Sequence, residues 1–458
     1  MPNFPSMTPA IALMVALLCA SPARGLDAEL AAPPTATAAS SVRLLAQWYT
    51  DEARLGHWLL DKSPELLDLK GAVLVTAAEI TRARQIPNPG VDLTWATIPL
   101  GATTPPGLAS PLSQIPSYGL MLRQPLEPGK RGPRVAFAEA ATDLARAQIA
   151  ERAVARFFDL QLVLAGVARQ QQRLAVQADL LQSSQQLLDL HRARSGKGDV
   201  AGLEVTRLEL EHNRLEADRA ATEQDLADSL ATCAAIAAAP CEAFADREAA
   251  QRWYAQQVAV ALPSVWTPAI EARRPDLLTL AAVRRAASAQ VAVGRSQRLP
   301  DLEARLGYLF DQFTLSGNQQ QSLTLGIGLS LPVFARGEAD LRAASALLAR
   351  ADAVATAQIA AAQAQLLTAL RRRTLAEDRA KRLDVVVDRA QKVLAALSEG
   401  LRRGAATMTD VLLARRSWQE VVLQRQEVDA DVLAATLDAR RAAALAPEVL
   451  LRSGGGAW

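Results

Sequence analysis

Residues 322–331 read Ser-Leu-Thr-Leu-Gly-Ile-Gly-Leu-Ser-Leu, with a large aliphatic residue at every second position. Successive side chains of a β-strand point to opposite faces of a sheet, so a two-residue period is typical of a strand. The stretch therefore predicts a strand with one face of Thr, Gly and Ser and one aliphatic face. The aliphatic face carries Leu323, Leu325, Ile327, Leu329 and Leu331.

Three other stretches alternate in a similar way. With the first, they predict four strands at about residues 90–98, 117–125, 301–310 and 322–332. One face of these strands is aliphatic, with aromatic residues near the strand ends. The charged residues predicted on the other face are Asp92, Arg123, Glu303 and Arg305.

In a soluble sandwich such alternation separates core from solvent, but four strands between long helical segments are too few to build one. A transmembrane barrel gives the same pattern, with apolar side chains toward lipid and polar ones toward the lumen. Four strands cannot close a barrel, and an open edge leaves backbone groups unpaired in lipid. The barrel is therefore predicted to be shared between chains. Three chains give twelve strands around an aqueous lumen, whereas two give eight strands filled by side chains.

Proline marks the rest of the architecture, because none occurs from Arg134 to Ala239 or from Val333 to Ala446. Each of these stretches has one glycine-bearing break, and glycine commonly ends a helix. Apolar residues recur within them at three- and four-residue steps, which favours coiled-coil-like packing. The pattern predicts two long helical hairpins, at 133–239 and 338–446. The predicted fold class is mainly α with a small β part.

The chain repeats this plan about 210 residues later. Ser-Pro-Glu-Leu-Leu at 63–67 returns as Arg-Pro-Asp-Leu-Leu at 274–278, an offset of 211. A repeat of this size indicates a duplicated domain rather than a solenoid unit. The predicted organisation is a signal peptide at 1–25, a first repeat at 26–240, an inter-repeat equatorial segment at 241–271, a second repeat at 272–447 and a tail at 448–458.

The N-terminus predicts export. Its apolar run at 11–20 is too short to span a bilayer, and small residues suited to cleavage follow it. A buried N-terminal helix is the alternative. Cys19 is not expected to carry a lipid, because Leu18 stands where lipoprotein signals have a small residue. After the signal no apolar run approaches the roughly 20 residues of a membrane helix. A net charge of +2 gives no basis for nucleic-acid binding.

Two cysteines, Cys233 and Cys241, remain after the predicted signal. In an exported protein, two nearby cysteines without metal-ligand spacing most simply form a disulfide. Two unpaired thiols at a helix end are the alternative, and the sequence does not decide between them.

Several motifs, each present in both halves, carry a resemblance to a known family. Pro-Asn-Pro at 87–89 and Leu-Pro-Asp at 299–301 precede strands. Gln-Pro-Leu-Glu-Pro-Gly-Lys-Arg at 124–131 and Leu-Pro-Val-Phe at 331–334 lead into the long helices. At each hairpin turn a glycine stands six residues before an acidic residue, as in Gly198 with Glu204 and Gly404 with Asp410. In this order the chain resembles the outer membrane efflux proteins, the TolC-like channels.

The resemblance implies a homotrimer with a twelve-stranded barrel in the bacterial outer membrane and a helical tunnel in the periplasm. It implies docking of the hairpin tips, at Gly198 and Gly404, to a periplasmic membrane-fusion adaptor. The third component would be an inner-membrane pump, proton-driven rather than ATP-driven. The duct would be passive, without cofactor or enzymatic activity.

Under three-fold symmetry, Glu204 and Asp410 would each form a ring of three carboxylates at or near the narrowest part of the duct, as in cation-preferring pores. In TolC-like channels the second hairpin has a further acid one turn on, where this chain has Leu413. The alternative is that both acids only cap or solvate the first helical turn, where negative charge is favoured.

The Pro-Asn-Pro and Gly-Lys-Arg motifs lean toward the branch that serves heavy-metal efflux, the cobalt–zinc–cadmium type. The sequence offers no metal site of its own, because its three histidines, His57, His191 and His212, are scattered. Isolated histidines on helices are expected to be solvated side chains.

A periplasmic coiled-coil scaffold or adaptor, without a channel of its own, is the main alternative function. Adaptors usually contain one helical hairpin between halves of small β domains, whereas this chain has two hairpins and strands of the lipid-facing type. An enzyme is the third class. The sequence contains no phosphate loop, no nucleophile elbow and no clustered metal ligands.

Overall fold

The computed structural model describes residues 45–96, 117–198, 200–311, 319–334 and 336–455. The predicted signal peptide and Cys19 lie outside these residues. The described part of the first half contains a 3-10 helix at Leu45–Trp48, α1 Glu52–Lys62, α2 Pro64–Arg84, β1 Gly90–Ala96, β2 Ser117–Leu126, α3 Arg131–Ser195 and α4 Gly202–Ala237. Then follow α5 Arg247–Val258, α6 Pro268–Arg273, α7 Pro275–Ser296, β3 Asp301–Asp311, β4 Gln321–Ser330, α8 Glu338–Arg402, α9 Met408–Ala442 and α10 Glu448–Leu451.

The repeated proline motif begins an equivalent helix in each half. Ser63 and Arg274 have extended backbones, and the prolines that follow them take the first positions of α2 and α7. Proline disfavours a helical residue before it and has no N–H to leave unpaired in the first turn. The two motifs therefore fix where these helices start.

The long helices α3 and α8 have 65 residues each, which corresponds to about 98 Å at 1.5 Å per residue. Helix α3 packs against α2, α4, α7 and α9, whereas α8 packs mainly against α7 and α9. Next to the sheet the helices follow the order α2, α3, α7, α8. In the hairpins the order is α4, α3, α9, α8. Helices α2 and α4 thus lie at one edge of the packed helices, and α8 lies at the other.

The four strands form one antiparallel sheet in the order β1-β2-β3-β4. In the register, Arg123 of β2 lies opposite Gly90 of β1 and Arg305 of β3, and Arg305 lies opposite Gly326 of β4. Opposed residues share a face of the sheet. Among the described residues, β1 and β4 each have a neighbour on one side only, so the sheet has two open edges.

The expectation of no membrane-length apolar helix after the signal was wrong for α8. This helix is long and apolar enough to cross a bilayer, by length and composition only. Alanine supplies much of its apolar character, and the helix packs against α7 in one part and against α9 in a hairpin in the other. We therefore describe it as a hairpin arm.

The largest apolar core lies where α3 meets the inter-repeat segment and the start of the described chain. It includes the fully buried Phe157, Trp253 and Tyr49. The Tyr49 hydroxyl donates to the carbonyl of Glu242 at 2.9 Å, and Trp58 Nε1 donates to the carbonyl of Ala237 at 2.9 Å. These contacts attach the segment after α4 to the first helices.

A buried arginine joins the two ends of the described chain. Arg440 of α9 donates to both carboxylate oxygens of Glu52 in α1, at 2.9 and 2.7 Å, across 388 residues of sequence. It also donates to the side chain of Gln257 in α5. Its side chain is 4% exposed, so α1, α5 and α9 meet at one shielded guanidinium.

A disulfide joins Cys233 of α4 to Cys241, with 5.9 Å between the Cα atoms. Helix α4 ends at Ala237, and Ala238 takes a left-handed conformation with φ of 51°. The chain therefore turns back, which brings Cys241 to the buried Cys233.

Removing this disulfide should lower the free energy of unfolding by about 2–3 kcal/mol, because a short closed loop restricts the unfolded chain. The variant is Cys233→Ala with Cys241→Ala, compared with the wild type in denaturant titrations with and without reductant. Thiol labelling of unreduced, denatured wild type should modify neither cysteine. Labelling of both would mean that the thiols are free in the protein.

Candidate functional site

The sheet has two chemically different faces. The residues on its apolar face include Leu93 and Ile327, which are 82% and 80% exposed, together with Leu323, Leu325, Leu120, Leu122, Leu306 and Tyr308. Side chains this apolar are rarely left in a continuous exposed array unless another molecule or a membrane covers them. The register therefore leaves one whole face of the sheet suited to an apolar environment.

The opposite face carries all four charged residues predicted from the sequence. The register places Asp92, Arg123, Glu303 and Arg305 on this face. Arg123 pairs with Asp92, and Arg305 Nε donates to Glu303 at 2.6 Å. The Arg305 guanidinium lies over Gly328, where a Cβ atom would be 2.9 Å from its nearest nitrogen. Glycine on β4 thus leaves space for a charged network.

The motif at 124–131 fastens the base of the sheet to the helices. Gln124 Nε2 donates to the carbonyl of Pro87 at 2.9 Å, and Lys130 pairs with Asp301 at the start of β3. Arg134 makes two hydrogen bonds to Glu127, at 2.6 and 2.8 Å. The hydrogen bonds from Arg134 are the main cause of a lowered pKa of Glu127. The motif therefore has a structural role that its resemblance alone did not specify.

The two hairpin tips pack together through a small apolar cluster. Its buried members are Leu188 of α3, Leu208 of α4 and Met408 of α9, and Val205 and Leu412 lie against it. Each tip has a glycine in the left-handed region, Gly198 with φ of 83° and Gly404 with φ of 76°. An added Cβ would meet nothing within 4 Å at either glycine. Backbone conformation therefore explains both residues, whatever docks there.

The two predicted gate residues occupy different local settings. Asp410 forms a capping box with Thr407: its carboxylate accepts from the Thr407 hydroxyl at 2.6 Å and N–H at 3.0 Å. Thr407 Oγ1 in turn accepts from the Asp410 N–H at 3.2 Å. The hydrogen bond from the Thr407 hydroxyl is the main cause of a pKa of Asp410 below its ordinary value, and the bond from the Thr407 N–H adds to it. The capping alternative thus describes the contacts of Asp410 in the single chain.

Glu204 stands in the first turn of α4, whose N-cap is Ala201 and has no side-chain capping bond. A negative charge there interacts favourably with the N-terminal end of the helix. The distinction matters because Asp410 has a defined local function, while Glu204 has none beyond its charge. Leu413 is 62% exposed, so α9 presents an apolar residue one turn after Asp410.

A partly buried arginine near the tips was not predicted. Arg415 of α9 donates to Ser183 of α3 and to the carbonyl of Leu180 at 3.5 Å. Burial lowers the pKa of its guanidinium. Arg415 therefore ties the second hairpin to the first. A charged residue within an amphipathic arm gives no local signal of such burial.

One of the three histidines is not in the solvated environment that the sequence predicted. His191 was expected to be solvated, but it is 2% exposed, and its Nδ1 lies 3.0 Å from the carbonyl of Leu187. The interface between packed arms covers it, and a single-helix pattern does not show that interface. Within the described ranges, no group of three or more His, Cys, Asp or Glu side chains is arranged to hold a metal ion.

The chain is similar to known proteins in part of its sequence and in its fold. The family model described as outer membrane efflux protein matches residues 266–444, which span α6 to α9 with β3 and β4. A search of curated protein sequences gave no match. The chain is similar in structure to the outer membrane channel CmeC of Campylobacter jejuni, with a TM-score of 0.69 and 12% identity over 91% of each chain.

Two further solved structures are similar. The outer membrane protein VceC of Vibrio cholerae has a TM-score of 0.66 and 17% identity, covering 87% of this chain and 98% of its own. A membrane protein of Pseudomonas aeruginosa has a TM-score of 0.67 and 18% identity, covering 85% and 89%. Sequence identities this low support a similarity of fold alone. With the described helices and sheet, they confirm the predicted fold class, long helical hairpins with a small four-stranded sheet.

Proposed function

We propose that the chain is the outer-membrane channel of a tripartite efflux pump. Three copies would close a twelve-stranded barrel in the outer membrane, and their hairpins would form a periplasmic tunnel. The duct would be passive, conducting substrate received from a periplasmic adaptor and an inner-membrane pump. It would have no enzymatic activity.

The observation that carries this proposal is the sheet with one apolar face, one charged face and two open edges. Open β edges are unstable in lipid because their N–H and C=O groups have no partners. Pairing β4 of one copy with β1 of the next removes every edge, and the charged residues then face the enclosed space. A twelve-stranded barrel is wide enough for water, whereas an eight-stranded one is not.

The finer parts of the proposal concern docking, the pump and the cargo. The exposed Gly198 and Gly404 turns are available to an adaptor. Heavy-metal cargo is proposed from the sequence motifs at 87–89 and 129–131, and a proton-driven pump from the resemblance to the family. Cargo selection would lie in the inner-membrane pump, since a passive duct needs no metal site.

The oligomer is the first test. We expect the detergent-extracted protein to have the mass of three chains, to fractionate with the outer membrane and to form conducting pores in planar bilayers. A stable monomer or dimer of the extracted protein would contradict the shared barrel. A soluble periplasmic species would instead support the scaffold alternative.

We also propose that Glu204 and Asp410 form carboxylate rings at the periplasmic end of the duct. Asp410→Asn should then weaken cation selectivity and divalent-ion block while leaving the trimer intact. Thr407→Ala is the matched control, because it breaks the capping box but keeps the carboxylate. We expect Thr407→Ala to leave selectivity unchanged in bilayer recordings, and Glu204→Gln to behave like Asp410→Asn.

The cap alone predicts another result, in which Asp410→Asn and Thr407→Ala lower stability slightly and neither changes conductance. Because the pKa of Asp410 is lowered in the folded chain, its capping bonds stabilise the fold fully at pH values above the ordinary carboxyl pKa. This stabilisation is lost as the pH falls through the lower folded-state pKa. Unaltered selectivity in both Asp410→Asn and Glu204→Gln would remove the gate assignment.

A further inference from the structure

Phe334 is the most exposed large apolar residue described. It belongs to the linker Leu331–Phe334 between β4 and α8, and its side chain is 100% exposed. A fully exposed aromatic beside an open sheet edge indicates a surface that another molecule covers.

The other edge of the same sheet has a groove of suitable size. It lies between the end of α2 and the start of α3, next to β1, and has a volume of about 830 Å³. Its lining includes Thr76, Ile86, Pro87, Phe137 and Ala141. Glu79, Arg82 and Arg134 also line the groove, and Ile86, which is 63% exposed, supplies it with an accessible apolar side chain.

Closure of the barrel would bring Phe334 and the groove to the same level. The end of β4 and the start of β1 lie at the helix-proximal end of the sheet, because β4 continues into α8 and β1 follows α2. In an antiparallel pair, the end of one strand lies beside the start of the other. Pairing β4 with β1 of a second chain therefore places the linker after β4 beside the residues before β1.

Exposed apolar residues on the two edge helices agree with this alignment. Leu347 lies nine residues from the start of α8 and Val75 nine residues from the end of α2, with exposures of 51% and 64%. Val354 lies 16 residues from the start of α8 and Leu67 lies 17 from the end of α2, with exposures of 44% and 49%. Antiparallel helices from two chains would thus meet apolar residue to apolar residue.

Exposed apolar residues also correspond between the end of α8 and the start of α4. Val393 lies nine residues before the end of α8 at Arg402, and it is 53% exposed. Leu210 lies eight residues after the start of α4 at Gly202, and it is 66% exposed. Exposed apolar positions that recur about every seven residues along a helix, as Leu347 and Val354 do on α8, are typical of a coiled-coil seam.

We propose that Phe334 of one chain inserts into the α2–α3 groove of a second copy, at the junction of barrel and tunnel. The proposal rests on the shared barrel of the proposed function and adds the residue and the pocket that set its register. Within one chain the two sites are separated by the width of the sheet, about 14 Å for three strand spacings. Only a neighbouring copy brings them together.

Crosslinking between two tagged forms of the chain tests the insertion. One form carries Phe334→Cys and the other Ala141→Cys. They are co-expressed and treated with a short bismaleimide without reductant. We expect a covalent dimer that contains both tags. A second pair, Leu93→Cys with Leu325→Cys, reports pairing of β1 with β4 between chains, independently of Phe334.

The two pairs separate failure of this inference from failure of the proposed function. If Leu93→Cys and Leu325→Cys crosslink but the Phe334→Cys pair does not, the barrel is shared and the insertion is wrong. Labelling of Phe334→Cys in the assembled protein by a membrane-dissolved maleimide would likewise show that lipid covers position 334. If neither pair crosslinks, the shared barrel itself is contradicted.

A stability measurement gives a second readout. Truncating a central aromatic in a close-fitting pocket costs at least roughly 2 kcal/mol, which corresponds to about 30-fold in affinity. Phe334→Ala should therefore weaken chain association by about that factor, measured by trimer dissociation on dilution in detergent. Leu331→Ala, three residues earlier in the same linker, should leave dissociation near the wild-type value. Equal effects of both variants would contradict a specific role for Phe334.

Discussion

Ile327→Arg should cost about 2–4 kcal/mol per chain if residue 327 lies near the middle of the bilayer, because the variant places a charge on the lipid-facing side of a barrel strand. The register puts Ile327 opposite Ala304 on the apolar face, where it is 80% exposed. In a trimer the effect applies three times. We expect little assembled trimer in the outer membrane, measured by detergent extraction and by refolding into lipid vesicles.

Thr324→Arg is the matched control. Thr324 is exposed on the charged face, opposite Gly307, over which the Met121 side chain lies. This variant should assemble normally and change conductance. Gly328→Arg should also affect conductance more than assembly, but there the new side chain meets the guanidinium of Arg305. Equal assembly defects in Ile327→Arg and Thr324→Arg would mean that the two faces do not meet different environments.

Arg440→Met should lower the free energy of unfolding by about 3 kcal/mol, because removing one partner of a shielded ion pair leaves the other charge uncompensated. Here the carboxylate of Glu52 would keep 23% exposure without its cation. Methionine retains the length of the side chain, so the loss reports the charge and its hydrogen bonds. Denaturant titration followed by circular dichroism of the helices measures it.

The neighbouring Arg441 provides the comparison. Its side chain is 48% exposed, and its ion pair with Asp159 is 3.6 Å long. Exposed pairs of this kind contribute roughly 0–1 kcal/mol, so Arg441→Met should change stability little. If both variants lost the same stability, burial of Arg440 would not explain its role.

Local pattern was sufficient to predict most of the fold. The alternation at 322–331 predicted a strand, and the register places its aliphatic residues on one face with those of β1, β2 and β3. Proline-free stretches and glycine breaks predicted the hairpins, although α9 ends at Ala442 rather than at 446. These features depend on residues close together in sequence.

The features that were missed depend on packing between distant segments. Arg440 and Glu52 are separated by 388 residues, and a single-helix pattern cannot distinguish Arg440 from the exposed Arg441. Arg415 is partly buried and donates to Ser183 of the first hairpin, and His191 is buried among the packed arms. At the tips, the sequence left a gate and a cap open for Asp410. The structure supplies the cap, and the gate remains a proposal because it needs three chains.

The open edges of the sheet also have a consequence for biogenesis. An unassembled chain exposes the edges of β1 and β4 together with the aliphatic face between them, and such edges readily pair with strands of other chains. The hairpins can form early, because their contacts are local, whereas closure of the proposed barrel would need three chains. Under the proposed function, newly made chains need protection until they meet, and overproduction should yield aggregates even when each helical hairpin is folded.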